Sequence, residues 1–323
     1  MEFKFITHDF HDPYFNLASE EYLLKQKGGY YVYTWINSPA VIVGINQNTL
    51  QEVNLSYTTQ HGIKVVRRLT GGGAVYHDLN NICYTVIAPY NSEQSNYQVF
   101  TEPVIQYLDT LGVKAELSGR NDIMAEGGKI SGNAQTVYNG KIMHHGTLLF
   151  DTDMSALSDA LIHNKLKTES KGIKSVRARV KNIADIMIEK LSVSEFYSGL
   201  NRFIGKNCER YEFSKEDIDA INQLVKNKYS TYEWNVGHSP KGKNRFDGRF
   251  SFGTLTLTFD TEDGLIRNAE IFGDFFNKKD VKILAEKLNG VRADETSVAA
   301  ALTDAGDYIA GADGAEIARE IFG

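Results

Sequence analysis

The run YYVYTWINSPAVIVGI (30–45) does most to limit what this chain can fold into. Two β-branched and aromatic segments, 30–36 and 40–45, are split by Asn37-Ser38-Pro39-Ala40, which reads as a hairpin or a close strand pair. Hairpins mixed with helices point to an α+β fold rather than a regularly alternating βαβ sheet. The flanking segments agree. An amphipathic helix is expected over 14–26, with Leu17, Tyr22, Leu23 and Leu24 on one face. Strands are expected at 63–68, 82–88 and 147–150, and helices at 95–111, 155–162, 193–206 and 215–227. Residues 236–248 are rich in charge and turn formers, which places a linker at about 241–248. Beyond it, Phe250, Phe252, Leu255, Leu257 and Phe259 nearly hold period two over a strand 249–259, and helical patterns recur at 282–288, 295–302 and 314–321. The expected organisation is a large domain over 1–240 on a mixed sheet and a small α+β domain over 249–323, with no internal repeat.

Bulk composition narrows the function classes. Hydrophobic residues at 42% and charged residues at 24% are ordinary globular values. The net charge of −6 argues against a general nucleic-acid binder, which is normally basic. The two cysteines, Cys83 and Cys208, form neither a disulfide framework nor a zinc pattern and suit a reducing cytosol. The N-terminus has no basic stretch followed by a long apolar run, and no stretch of about 18 apolar residues occurs. A cytoplasmic protein without nucleic-acid or membrane partners, and a monomer, is expected.

Four stretches carry chemistry. In RRLTGGGAVYHD (67–78) three glycines follow a strand, so the backbone can take φ > 0 and let a ligand approach. Its exposed N–H groups can cradle an anion, with Arg68 adding charge. No Gly-Lys-Ser/Thr follows, so it is not a Walker A loop, and on its own a Gly-rich hairpin turn explains it equally well. In GRNDI (119–123) and GGKISGNA (127–134), Lys129 precedes an apolar residue and a run of small residues. A fixed ammonium there lowers the barrier to carboxylate attack on an α-phosphate, and Asp122 is a candidate Mg²⁺ ligand. By composition alone Lys129 is more simply an exposed turn lysine. In HHGTLLF (144–150) adjacent histidines point to opposite faces of a strand, so they do not share a metal; a satisfied sheet histidine is the simpler reading. The stretch 167–181 sets Lys167, Lys171, Lys174, Arg177, Arg179 and Lys181 against Glu169, either as a loop over a nucleotide or as a solvated charge run. Cys83, within ICYTV, reads as a core thiol away from the catalytic neighbourhood.

Together these stretches, in this order, resemble the lipoate–protein ligase A family of the biotin/lipoate ligase superfamily. NLASEEYLL (16–24), VIVGINQN (41–48), GIKSVRARVKNI (172–183) and YEWNVGHSP (232–240) extend the similarity over nearly the whole chain. The resemblance implies an α+β catalytic domain on a mixed sheet with a small C-terminal accessory domain. It implies ATP-dependent conversion of lipoate to lipoyl-AMP, with Mg²⁺, followed by transfer to a lysine of an acceptor. The implied acceptors are lipoyl domains of 2-oxoacid dehydrogenase E2 subunits or the glycine-cleavage H protein. Residue by residue it assigns ATP and lipoyl-AMP contacts to Arg68, Gly73, Ala74, Val75, Tyr76, Asp122 and Lys129. It assigns lipoate contacts to Gly71, Gly72, Gly73, His77, Lys129, Ser131, Gly132 and His145. Lys129 is the implied catalytic residue, Asp122 the implied metal ligand, and Lys174, Ser175, Val176 and Arg177 belong to an implied adenylate loop. Thr70 stands where some members have Ser, and Asn133 and Gln135 lie in a variable stretch. Three rival readings stay open: an octanoyl or lipoyl amidotransferase working through a cysteine thioester, a transferase using preformed lipoyl-AMP, and a non-catalytic binder of lipoate or an adenylate.

Overall fold

The computed structural model describes residues 2–91, 95–119, 121–162, 180–237 and 243–322. In chain order its first strands are β1 (Phe3–Thr7), β2 (Tyr30–Ile36), β3 (Ala40–Val43), β4 (Lys64–Arg67), β5 (Val75–His77), β6 (Asn81–Pro89), β7 (Ala115–Ser118), β8 (Asp122–Ala125), β9 (Gly128–Tyr138), β10 (Lys141–Leu149) and β11 (Glu209–Arg210). Eight of them form one mixed sheet in the order β11-β1-β2-β6-β10-β9-β8-β7, and β4-β3-β5 form a second, small sheet.

Side-chain alternation decides what covers each face of the large sheet. Tyr31, Tyr33 and Trp35 of β2 and Cys83 and Ile87 of β6 pack with Leu17 and Leu23 of the helix Pro13–Lys25. The residues between them, Ile82 and Tyr84, pack with Val104, Leu108, Phe196 and Leu200 of the helices Tyr97–Thr110 and Val193–Ile204 on the opposite face.

Three local expectations change. The segments 30–36 and 40–45 do not pair. Both edges of β2 are taken, by β1 and β6, so β3 joins β4 and β5 in the other sheet. The helix Pro13–Lys25, capped by Asp12, which accepts from the Tyr14 N–H at 2.9 Å, is not one-faced. From Phe15 to Leu24 every residue is buried, Asn16, Ser19, Glu20 and Glu21 included. Buried polar groups need partners, and here those partners shape the site. The strand expected over 249–259 is two strands with a tight turn at Ser251–Phe252: β12 (Asn244–Phe250) and β13 (Gly253–Glu262). β12 opens inside the range read as linker.

With β14 (Leu265–Gly273) these two form a three-stranded antiparallel sheet. It shares a core of its own with the helices Val281–Glu286, Glu295–Ala301 and Gly314–Phe322, built on Leu255, Leu257, Phe275, Leu284, Leu302 and Ile317. The fold is α+β throughout. Among the described residues no helix is long and apolar enough to cross a membrane.

Candidate active site

A cleft of about 640 Å³, counted with its open mouth, lies between the large sheet and the loop joining β4 to β5. It crosses the strands rather than following one. Trp35 (β2), Cys83 (β6), His145 (β10) and Lys129 (β9) all border it. From β2 to β9 are three inter-strand steps, roughly 4.8 Å each, so the cleft spans about 14 Å. One end is apolar, with Leu17, Trp35, Ile42 and Cys83; the other is polar, with Lys129 and Asn121.

Lys129 reaches the cleft because β9 is irregular. Asp122 pairs with Gly132 and Met124 pairs with Lys129, so two steps along β8 face three along β9. In a regular strand Lys129 would share a face with Ser131. The bulge instead puts it on the face of Asp122 and Gly132, the way bulges re-aim side chains at active sites. Its Nζ sits 2.7 Å from Asp122 Oδ1, both side chains about one-third exposed. A Cβ at Gly132 would lie 3.0 Å from that Nζ, so glycine leaves the ammonium its path. The backbone of Lys129 is also paired: Lys181 N–H donates to the Lys129 carbonyl at 2.9 Å and Val180 bridges to Lys129.

Arg68 is a different kind of cation. It is buried, with Nε donating to Thr70 Oγ1 (2.9 Å), Nη1 to the Ile42 carbonyl (3.1 Å), and Nη2 to the carbonyls of Gly71 (2.7 Å) and Gly73 (2.9 Å). Burial lowers its pKa to about 10, leaving it charged at neutral pH. The bonds hold the glycine loop in shape, with Gly72 at φ +90°, where a side chain is strained. The counter-charge lies behind a relay. Thr70 Oγ1 is 2.8 Å from His145 Nε2, His145 Nδ1 is 2.9 Å from Glu20 Oε1, and Thr85 Oγ1 donates to Glu20 at 2.6 Å. Donor and acceptor roles all fit when His145 carries its proton on Nδ1. The neighbouring Arg67 is wholly buried and donates to the carbonyls of Gly44, Ile45, Gln47 and Trp234. It ties the loop after β3 to the segment preceding the C-terminal unit.

That unit closes the cleft from above. Gly72 N–H donates to the Phe275 carbonyl at 3.2 Å, Gly273 N–H to the Asn46 carbonyl at 2.7 Å, and the Phe276 ring borders the cleft.

Arg68, Gly72, Gly73, Ala74, Val75 and His77 therefore meet Lys129, Gly132 and His145 around one cavity. Others stand apart from it. The Tyr76 side chain turns to the far side of β5, among Val41, Val43 and Val53. Gly71 lies under Phe275, whose carbonyl would be 2.4 Å from a Cβ there. Ser131 is buried and its Oγ accepts from Asn133 Nδ2 at 3.2 Å. Asp122 sits against Lys129 outside the cleft lining. Lys174, Ser175, Val176 and Arg177 lie outside the described residues. One expectation is overturned: Cys83 lies in the cleft wall, 3.6 Å from His77 Nδ1. The pairing of Trp35 with Cys83 across β2 and β6 brings it there. Burial raises its pKa well above the ordinary value, which disfavours the thiolate a nucleophile needs. Glu20, Trp35 and Phe276 were not singled out in the sequence; an acidic residue inside a buried helix was the one available hint.

The sequence pattern of the lipoyl protein ligase A/B catalytic domain matches residues 12–203, and that of the bacterial lipoate protein ligase C-terminus matches 239–321. The lipoate-protein ligase LplJ of Bacillus subtilis is 43% identical over 296 residues, covering 89% of each chain. The chain belongs to the lipoate–protein ligase family. The lipoate–protein ligase 1 of Staphylococcus aureus is similar to this ligase at 42% identity over 93% of the chain and 94% of the relative. Among solved structures, LipL1 of P. falciparum in complex with lipoate shares the fold at a TM-score of 0.73 and 24% identity, covering 93% of this chain and 94% of that one. A lipoate-protein ligase A bound with ATP gives 0.63 at 28% identity, over 73% and 99%. An archaeal bi-partite lipoate protein ligase of Thermoplasma acidophilum, studied with its E2 lipoyl domain, gives 0.66 at 28%, over 76% and 100%.

Proposed function

We propose that this ligase activates lipoate with ATP to lipoyl-AMP and passes the lipoyl group to a lysine of an acceptor protein, with Lys129 serving both steps. The observation that carries the reading is the cleft itself. It has an apolar end suited to a dithiolane tail and a polar end where a bulge presents one ammonium. The lipoate carboxylate, placed at that end, attacks the α-phosphorus and pyrophosphate leaves. Lys129 offsets the repulsion between the two anions. In the second step the acceptor amine attacks the acyl carbonyl and AMP leaves, and negative charge develops on groups that the same ammonium reaches.

Arg68, Gly73, Ala74 and Val75 would border the adenylate, and Gly72, His77, Gly132 and His145 the lipoyl chain. Tyr76, Gly71 and Ser131 contribute through the backbone or by packing. Val180 and Lys181 lie on the Lys129 backbone, and Lys174, Ser175, Val176 and Arg177, outside the described residues, are assigned in this reading to covering the adenylate and excluding water.

Among the described residues no three His, Cys, Asp or Glu side chains converge to cage a metal. A Mg²⁺ arriving with ATP needs only one or two carboxylates besides phosphate oxygens and water. Asp122, partly exposed beside Lys129, fits that donor set. The metal's contribution would be charge neutralisation on the phosphates.

The acceptors in this reading are E2 lipoyl domains or the glycine-cleavage H protein. The ligase acts as a cytoplasmic monomer, with residues 1–240 as catalytic domain and 249–323 as accessory domain. Phe276 and the Phe275–Gly72 bond support a role for the accessory domain in shaping the site for activation, so its removal should impair activation more than transfer from supplied lipoyl-AMP.

The test is pyrophosphate release from ATP with Mg²⁺ and no acceptor present. A lipoate-dependent burst of about one equivalent per chain, then slow turnover, is expected for an enzyme that holds its intermediate. No release, with lipoyl-AMP still accepted as donor, would replace this reading with that of a transferase fed by another enzyme.

A further inference from the structure

A residue lining the cleft beside its apolar end, His77, carries one polar atom that its surroundings leave unused. Nitrogens bordering this end are mostly paired: Trp35 Nε1 donates to Thr85 Oγ1 at 3.2 Å, and both ring nitrogens of His145 belong to the Thr70–Glu20 relay. His77 differs. Its Nδ1 lies 3.1 Å from Asn37 Nδ2, while its Nε2 is buried and finds no partner among the described residues.

Its tautomer follows from the network. Asn16 Nδ2 donates to the carbonyls of Phe10 (3.1 Å) and Ile36 (3.2 Å), which fixes the orientation of that amide. The same nitrogen reaches Asn37 Oδ1 at 2.9 Å, so Asn37 presents its Nδ2 to His77. An amide N–H can only donate, so His77 Nδ1 accepts and the ring proton sits on Nε2. Burial, with Arg68 and His145 nearby, lowers the His77 pKa to about 3, so the ring stays neutral over the working range. The result is an N–H donor without an acceptor on a residue that is 3% exposed and forms part of the cleft wall. A buried orphan donor is costly; Trp35, at a ring distance of 6.0 Å, has a donor only, and the Cys83 sulfur lies against Nδ1 instead, at 3.6 Å.

We infer that the missing acceptor arrives with the acyl substrate, and that His77 selects acyl chains ending in a sulfur-bearing ring over chains of the same length ending in methyl or methylene. Sulfur is a weak acceptor but a real one, and its polarizability suits the face of Trp35. A hydrocarbon terminus fills the same space and leaves the N–H unmet. The inference rests on the proposed lipoate site and assigns the terminal-group preference to one nitrogen.

The experiment compares three acids in ATP-dependent pyrophosphate release: lipoate, octanoate, and 5-cyclopentylpentanoate, which keeps the ring and loses both sulfurs. The wild-type kcat/KM should favour lipoate over the carbocycle by about tenfold, the usual scale for an unmet buried donor. In His77→Phe that ratio should collapse to within about twofold, mainly through KM for lipoate. In the wild-type protein labelled with ¹⁵N-histidine, the Nε2–H resonance of His77 should shift with lipoate and stay put with the carbocycle, a readout independent of any variant's folding. Equal use of lipoate and carbocycle by the wild type, a ratio that survives in folded His77→Phe, or an unmoved resonance would each overturn the inference. Absence of release with every acid would instead remove the ligase reading beneath it.

Discussion

Two walls of one cleft each present a cation, and the two are held in opposite ways. On the glycine-loop wall Arg68 is sealed in, its donors bound to three carbonyls and a hydroxyl. On the β8–β9 wall Lys129 is about one-third exposed and, among the described residues, has one carboxylate partner, which a ligand can displace. A buried guanidinium with four of its five N–H donors committed shapes the wall and contributes a steady positive field. A half-exposed ammonium with an exchangeable partner can follow charge as it moves during reaction. Position next to a ligand therefore does not by itself identify the catalytic group; the number of commitments does.

The comparison breaks most easily at Lys129. Lys129→Ala should lower pyrophosphate release and transfer from lipoyl-AMP by at least about 10²-fold, while the melting point stays within about 2–4 °C. A folded variant with near-normal adenylation would remove the distinction. Arg68→Met should do the reverse in kind. Freed carbonyls and a lost relay should cost about 3 kcal/mol of stability by chemical denaturation, with activity falling alongside. Arg68→Lys should not restore it, because one ammonium cannot span the same acceptors. Gly132→Ala is smaller and sharper. The new Cβ meets only the flexible end of Lys129, so stability should hold while kcat falls by about tenfold from a displaced ammonium.

How much of this was legible in the sequence depends on how local each feature is. The glycine loop and the GGKISGNA stretch are contiguous, so their chemistry could be read directly. The bulge that aims Lys129 could not, because a one-residue slip between β8 and β9 leaves no trace in residue types. Trp35 and Cys83 became neighbours only through the β2–β6 register. Phe276 reaches the cleft from a unit with a separate core. The pattern of the helix Pro13–Lys25 reads as one-faced because its polar residues serve a buried network; Glu20 is the clearest case. Within 40–45 a strand does form, over Ala40–Val43, but it pairs with β4 and β5; sequence shows edges but not which are already taken.

The smallest expected effect concerns pH. Burial lowers His8 to about 4 and His77 to about 3 from an ordinary 6.5, and pushes His144 down as well. Below pH 6.5 the unfolded chain binds protons that these rings refuse in the fold, so their contribution to stability is full above 6.5 and declines as pH falls toward 4. Melting curves at pH 7.5, 6 and 5 should show that decline, and His77→Phe should flatten part of it. An unchanged slope in that variant would mean that His77 is not held neutral by the fold.

The most direct test of the account is a single-turnover chase. The ligase is mixed with lipoate and at least one equivalent of ATP, freed of small molecules, and then given an unmodified lipoyl domain with no ATP. The account predicts that close to one equivalent of lipoyl group per active chain moves at once to the acceptor lysine in the wild type, and none in Lys129→Ala. Transfer that requires fresh ATP, or a lipoyl group recovered on Cys83 as a thioester, would contradict it.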